Sequence, residues 1–481
     1  MDRLQRDVVP IQCSSTCSHV TRTIPRLTHA PTLKSLIALW VAIVLALTTF
    51  APSHAQSRRL SLVRDAEIEA LLGDYLRPLM KAAGLKRGSV QLYLVNDSSF
   101  NAFVAGRGLY VNTGLLLQSE KPNQVIGVLA HELGHIIGGH QFRLSERLDR
   151  ARRIATITTL LGVGLGVAGS ATGNRDVANA GFGVGLGGSS VAMRDLLSYR
   201  RGEEVAADAA AVNLLRKTKQ SGQGMLTTFK RLGDQLAIQG RRASPYLSSH
   251  PAPGDRVRNL ESRVRASPFF RKPDPKSRRK RHDMVRAKIA AYSGNDRYAR
   301  AVLLGKELHP DAKRYGLAIG TFLRGEPRRA LPTIDKLLKR DSKNAYLHEM
   351  RGEILLRMGK GKQAAKSFRR AVKLDKTKAG FIRIELAHAL LESGGKKNAK
   401  EAIQQINKGL ARDRTALAGY QLLARAYAET GDPARALLAS AELSYRTGRK
   451  AQAKSYARRA QKAFKRGSPA WLRAQDLITA R

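Results

Sequence analysis

His131-Glu132-Leu133-Gly134-His135 sets two histidines four positions apart, with a glutamate directly after the first. At 3.6 residues per turn the two positions share a helix face, so both imidazoles reach one metal ion and Glu132 points at the water beside it. Apolar residues recur with helical period from Pro122 to Leu144, which predicts one helix carrying the pair. Upstream, Ala66 to Lys81 reads as an amphipathic helix, and Ser89 to Val95 and Ala102 to Asn112 read as strands around the turn Asn96-Asp97-Ser98-Ser99. A small sheet beside a metal helix is a zincin-like layout, in which an edge strand holds an extended substrate by backbone pairing.

A catalytic zinc site takes three protein ligands and keeps one position open. In the metzincin spacing a third histidine follows His135 by six, but that position is Gln141, and His140 misses it by one. His140 is therefore expected behind the ligands or at the surface. The better candidate is Glu204, within Arg200-Arg201-Gly202-Glu203-Glu204-Val205-Ala206-Ala207-Asp208. This alanine-rich stretch has good helix propensity, and Glu204 and Asp208 fall on one face at i and i+4. Glu204 completes a two-histidine, one-glutamate (gluzincin-like) set, with Glu203 as the fallback. Asp208 orients a histidine or donates a proton. His250, in the extended loop sequence Ser248-Ser249-His250-Pro251, is expected to visit the site, either steadying the oxyanion or filling the fourth position. The reading is one zinc ion per chain, held by His131, His135 and Glu204, with Glu132 as general base.

These residues resemble the HtpX-like family of zinc metallopeptidases, and within it the periplasmic, TPR-bearing BepA type. The resemblance rests on the His131 to His135 helix, Asn101-Ala102-Phe103, Thr113-Gly114-Leu115-Leu116, the Arg201, Glu204, Ala207, Asp208 pattern and the later Ser249-His250-Pro251. It covers about residues 60 to 481 and departs from the family at Arg200, where serine is common. It implies an endopeptidase engaged in outer-membrane protein quality control. It also assigns zinc to His131, His135 and Glu204, catalysis to Glu132 and a supporting role to Asp208.

The N-terminus reads as an export signal. Leu36 to Phe50 is uncharged and apolar, and Ser53 and Ala55 suit cleavage after Ala55. This implies a periplasmic protein, with an uncleaved inner-membrane anchor as the alternative. Cys13 and Cys17 are the chain's 2 cysteines, and their loss with the signal leaves no thiol chemistry in the mature protein. The formal charge is +47, from 85 basic and 38 acidic residues. Most of the excess lies late in the chain, where residues 251–481 carry 55 basic against 21 acidic. A polycation of this kind suits anionic partners, including an anionic membrane surface. Nucleic acid is excluded as a partner, because aromatics are only 6% of the chain and the export signal points away from it.

Between the two motif helices, the glycine-rich apolar stretch 154–193 reads as a mobile lid. Beyond the basic, proline-punctuated stretch ending at Arg281, small residues recur at tetratricopeptide positions. Gly352, Ala364, Phe368 and Ala371 fit one unit; Ala318, Ala330, Ile334 and Leu337 fit another; Ala402, Ile406 and Gly409 fit a third. Ala424, Tyr427, Ala436 and Leu443, then Ala441, Ala453, Ala457 and Ala460, continue the pattern, giving a solenoid of about four to five units. The expected organisation is a signal peptide (1–55), an α+β zincin-like metallopeptidase domain, mostly helical with a small sheet (56–265), a basic linker (266–282) and an all-α TPR solenoid (283–481). The function expected is zinc-dependent cleavage of unfolded or misassembled proteins, with the TPR array docking on substrates or on outer-membrane assembly machinery. The alternative is a TPR-based chaperone or adaptor with a latent protease site.

Overall fold

The computed structural model describes residues 60–171, 175–239, 246, 250, 254–294 and 297–480. The expected signal segment with Cys13 and Cys17, and the residues flanking His250, lie outside the described residues. Leu62–Val63 (β1) leads into helix α1 (Ala66–Ala82), whose N-cap Asp65 accepts from the Ile68 amide. Strands β2 (Gln91–Val95), β3 (Ala102–Ala105) and β4 (Gly108–Asn112) complete a sheet of order β1-β2-β4-β3. β2 and β4 run parallel, while β3 and β4 form an antiparallel hairpin. The stretch 102–112, expected as one strand, folds back on itself. Gly106 takes φ 58° in the two-residue turn, a conformation that tight hairpins require and glycine supplies without strain.

Helices α2 (Thr113–Gln118), α3 (Pro122–Gly138), α4 (His140–Ala171), α5 (Arg175–Lys217), α6 (Gln223–Gln239) and α7 (Gly254–Arg265) follow. The helix expected over 122–144 is broken at Gly139, which caps α3 in the left-handed conformation so that its amide reaches back to His135 and Ile136 carbonyls. Of the glycine-rich segment expected as a lid, residues 154–171 and 175–193 are helical backbone, in α4 and α5, two helices that pack along each other.

The expected linker over 266–282 also differs from the structure. Its second half opens α8 (Lys276–Tyr292), in which residues from His282 to Ala291 are buried. Val285, Ile289 and Ala290 join the core of the first domain with Leu71, Leu109 and Leu129, while Met284, Ala287 and Ala291 pack with Tyr315 and Ile319 of the helices that follow. His282 is fixed by two bonds: its Nε2 donates to Ser119 O (2.7 Å) and its Nδ1 accepts from Tyr75 Oη (3.2 Å). Burial pushes its pKa down to about 3, so it is the neutral ring that this pairing needs. The basic composition hid this helix because its charges crowd the exposed first turns.

After α9 (Arg297–Leu304), helices follow in pairs: α10 (Pro310–Leu323) with α11 (Pro327–Arg340), α12 (Ala345–Arg357) with α13 (Gly361–Leu374), and α14 (Gly380–Glu392) with α15 (Lys396–Leu410). α16 (Leu417–Thr430) with α17 (Pro433–Arg446), and α18 (Lys450–Gln461) with α19 (Pro469–Thr479), extend the array. The small residues sit at the helix crossings; a Cβ on Gly352 would lie 2.6 Å from the Phe368 ring. The array is tied to the first domain by charge as well as by α8. Buried Lys288 reaches Asp65 Oδ2 (2.7 Å) and Glu67 Oε2 (3.4 Å), Tyr315 Oη donates to Glu67 (2.9 Å), and Arg64 pairs with Asp413.

Candidate metal centre

Helix α3 is buried from Pro122 to His135, so its histidines are held by packing on all sides. α5 crosses it where Gly134 faces Ala207: an added Cβ on Gly134 would stand 2.7 Å from the Ala207 carbonyl oxygen. This backbone-to-backbone approach sets Glu204 and Asp208, which flank Ala207 on α5, against His131 and His135.

The resulting distances define one centre. His131 Nε2 lies 3.1 Å from His135 Nε2, 3.3 Å from Glu204 Oε2 and 3.3 Å from His250 Nδ1. Glu204 Oε1 is 3.4 Å from His135 Nε2 and 2.9 Å from His250 Nδ1. All four side chains are buried, and one ligand atom from each falls within 4.8 Å of the others. Zinc bonds of 2.0–2.1 Å in tetrahedral array put neighbouring ligand atoms about 3.3 Å apart. The donor set therefore fits a single zinc ion.

The surrounding bonds aim the donors. His131 Nδ1 donates to Asp208 Oδ1 (2.9 Å), which turns Nε2 toward the centre. Behind His135, the two Nδ1 atoms of His135 and His140 are 2.8 Å apart, and His140 Nε2 meets Glu203 Oε2 at 2.9 Å. A proton on His135 Nδ1 and another on His140 Nε2 satisfy the whole chain and leave His135 Nε2 as a lone pair. Burial, reinforced by His131, pushes the His135 pKa down to about 2, in keeping with a neutral ring. Burial works against a charged His131 too, but bonds to Asp208 and Glu204 outweigh it and raise its pKa to about 9. Burial works against both carboxylates, yet both stay below the usual range and ionised, Glu204 through bonds to His131 and His250 and Asp208 through bonds to Arg256 and His131.

The structure thus brings His131, His135, Glu204 and His250 together, with Asp208 on His131. Glu203 turns instead to His140 and Arg143 (3.1 Å). Glu132 is 1% exposed, its Oε1 has no hydrogen-bond partner among the described residues, and His250 Nε2 lies 3.4 Å away. Sequence reasoning missed Arg256, which places Nε and Nη2 on the Asp208 carboxylate (2.6 and 2.9 Å) and Nη1 on Glu204 Oε2 (2.9 Å). It missed Tyr246 as well, whose buried ring stands 4.7 Å from that of His250. No spacing marks either one; the only signal was the closeness of Arg256 to His250 in sequence.

Residues 64–264 match the family model of peptidase family M48. The chain is similar to the beta-barrel assembly-enhancing protease of Escherichia coli (strain K12), at 24% identity over 416 residues, covering 85% of this chain and 81% of that one. The protein of the same name from Yersinia pestis is 24% identical over 396 residues, 80% and 78% of the two chains. Metalloprotease YcaL of Escherichia coli (strain K12) is 26% identical over 197 residues, 40% of this chain and 70% of its own. Residues 64–264 of this chain, with the histidines and carboxylates of the centre among them, are a metallopeptidase domain of family M48.

Proposed function

We propose that the chain is a zinc-dependent endopeptidase of the periplasm that degrades misfolded or stalled outer-membrane proteins, its helical repeats acting as a TPR array that recruits substrates or assembly machinery. The observation that carries the reading is the convergence of four buried donors at tetrahedral spacing beside a buried glutamate with an unbonded oxygen. His131, His135 and Glu204 hold one zinc ion. When bound, zinc supplies a Lewis acid and lowers the pKa of water toward neutrality. Glu132 takes the proton of the attacking water and returns it to the leaving amine nitrogen. Asp208 keeps His131 in the tautomer that offers Nε2, and Arg256 offsets the charge of the two buried carboxylates. The relatives named for β-barrel assembly support the substrate class, and the basic surface supports contact with an anionic membrane.

A second reading, a chaperone or adaptor with a latent site, is favoured by one observation: His250 Nδ1 stands where the fourth position of the centre falls. The two readings join if His250 is a removable occupant. One experiment tests both. Mature wild-type protein and His250→Ala are incubated with unfolded casein, with zinc and after chelation. Cleavage is expected to require zinc in both proteins and to be faster in His250→Ala. Equal rates would remove the latency role, and cleavage that survives chelation would remove the metal from the chemistry.

A further inference from the structure

Strand β3 is an outer edge of the sheet and packs against α3. Ala105 and Gly108 close the hairpin turn and Phe103 faces Tyr110, while Asn101 O accepts from the Asn112 amide. Odd-numbered residues thus bond inward to β4, and the backbone groups of Val104, with the Gly106 amide in the turn, face away from the sheet. On that outer side sits Gln141, near the start of α4 and six residues beyond His135. Its Nε2 donates to Val104 O, and its Oε1 accepts from the Gly106 amide at 2.9 Å. One side-chain amide, with one donor and one acceptor, fills two backbone groups as a single residue of a neighbouring strand does.

We propose that Gln141 is a displaceable cap on β3, a positioning residue that occupies the backbone groups an extended polypeptide substrate needs and yields them on binding. The inference rests on the peptidase reading for its substrate. Gln141 is solvent-exposed, so it can swing off the edge without disturbing the core. An exposed edge invites sheet extension by any unfolded chain. The cap makes every substrate compete with an internal amide, and segments that offer a continuous run of strand hydrogen bonds displace it best. β-strand-rich polypeptides that have failed to close their own sheets have that chemistry.

The test is Gln141→Ala in the zinc-loaded mature protein, assayed with an extended fluorogenic peptide. Losing the two competing hydrogen bonds is expected to lower KM about 3- to 10-fold with kcat little changed. An unchanged or raised KM, at wild-type zinc content and Tm, overturns the proposal. Hydrogen exchange gives a readout that does not depend on turnover. The Gly106 amide should exchange faster in Gln141→Ala and be protected again when the peptide is added to Gln141→Ala in a Glu132→Gln background. Absence of that protection also overturns the cap. If the wild-type protein cleaves nothing, the peptidase reading fails, and the exchange result still decides whether β3 is a capped polypeptide edge.

Discussion

Arg256→Met is expected to lower unfolding stability by about 3–5 kcal/mol, the range seen when one partner of a buried ion pair is removed. Arg256 is 4% exposed, hydrogen-bonds to Asp208 and ion-pairs with Glu204, while its guanidinium lies over the Phe229 ring at 4.9 Å. Methionine keeps an apolar contact with Phe229 and removes the charge together with its hydrogen bonds and ion pairs, so the loss reads out those polar contacts more than a cavity. In the zinc-free protein two carboxylates then share a buried site with His131 as their main protein cation. Bound zinc takes up part of that deficit at Glu204 and none of it directly at Asp208. Urea unfolding of the zinc-loaded and zinc-free proteins checks this: the midpoint should fall in both, and more in the zinc-free form. A midpoint within error of wild type would show that Arg256 is not the counter-charge described.

The second large effect is expected at Gly134. Alanine there would put a Cβ 2.7 Å from the Ala207 carbonyl oxygen and 2.9 Å from the Ala207 Cα. Both neighbours are backbone, which cannot rotate aside, so α3 and α5 must separate. Overpacking of this kind costs about 1–3 kcal/mol. The functional loss is larger, because Glu204 and Asp208 lie to either side of Ala207 and move with it. A displacement of about 1 Å at a reacting centre costs on the order of 10²-fold in rate. Gly134→Ala should therefore lose most of its activity and much of its zinc while remaining folded by circular dichroism. Gly202→Ala on the same α5 helix is the control, since nothing lies within 4 Å of the Cβ it would add. Full activity in Gly134→Ala would mean that the helix crossing does not set the donor geometry.

These two residues mark where the sequence was legible and where it was not. His131, His135, Glu204 and Asp208 are related by turns of single helices, and helical periodicity alone groups them on faces. The reason Gly134 must be glycine is invisible to such reasoning, because Ala207 is brought to it only by tertiary packing. Arg256 is silent for the same reason: its partners lie 48 and 52 positions earlier, and an arginine in a chain with 85 basic residues draws no notice. His140 was readable as a near miss to a known spacing, but its bond to His135 depends on the left-handed Gly139 that breaks the helix between them. Gln141 excluded one ligand pattern by its identity; only the hairpin at Gly106 gives it something to bind. In the repeats, small residues at fixed intervals forecast crossings such as Gly352 on Phe368. The basic run before them concealed α8, whose buried face begins only after its first turns.

The central claim is that Glu132 performs proton transfer at a zinc centre built by His131, His135 and Glu204. It is tested most directly by comparing wild-type protein with Glu132→Gln at equal, measured zinc content on unfolded casein. The account predicts one zinc per chain in both and a loss of about 10²- to 10⁴-fold in cleavage by Glu132→Gln. Equal cleavage by the two proteins, or the absence of zinc from an active wild-type preparation, would contradict it.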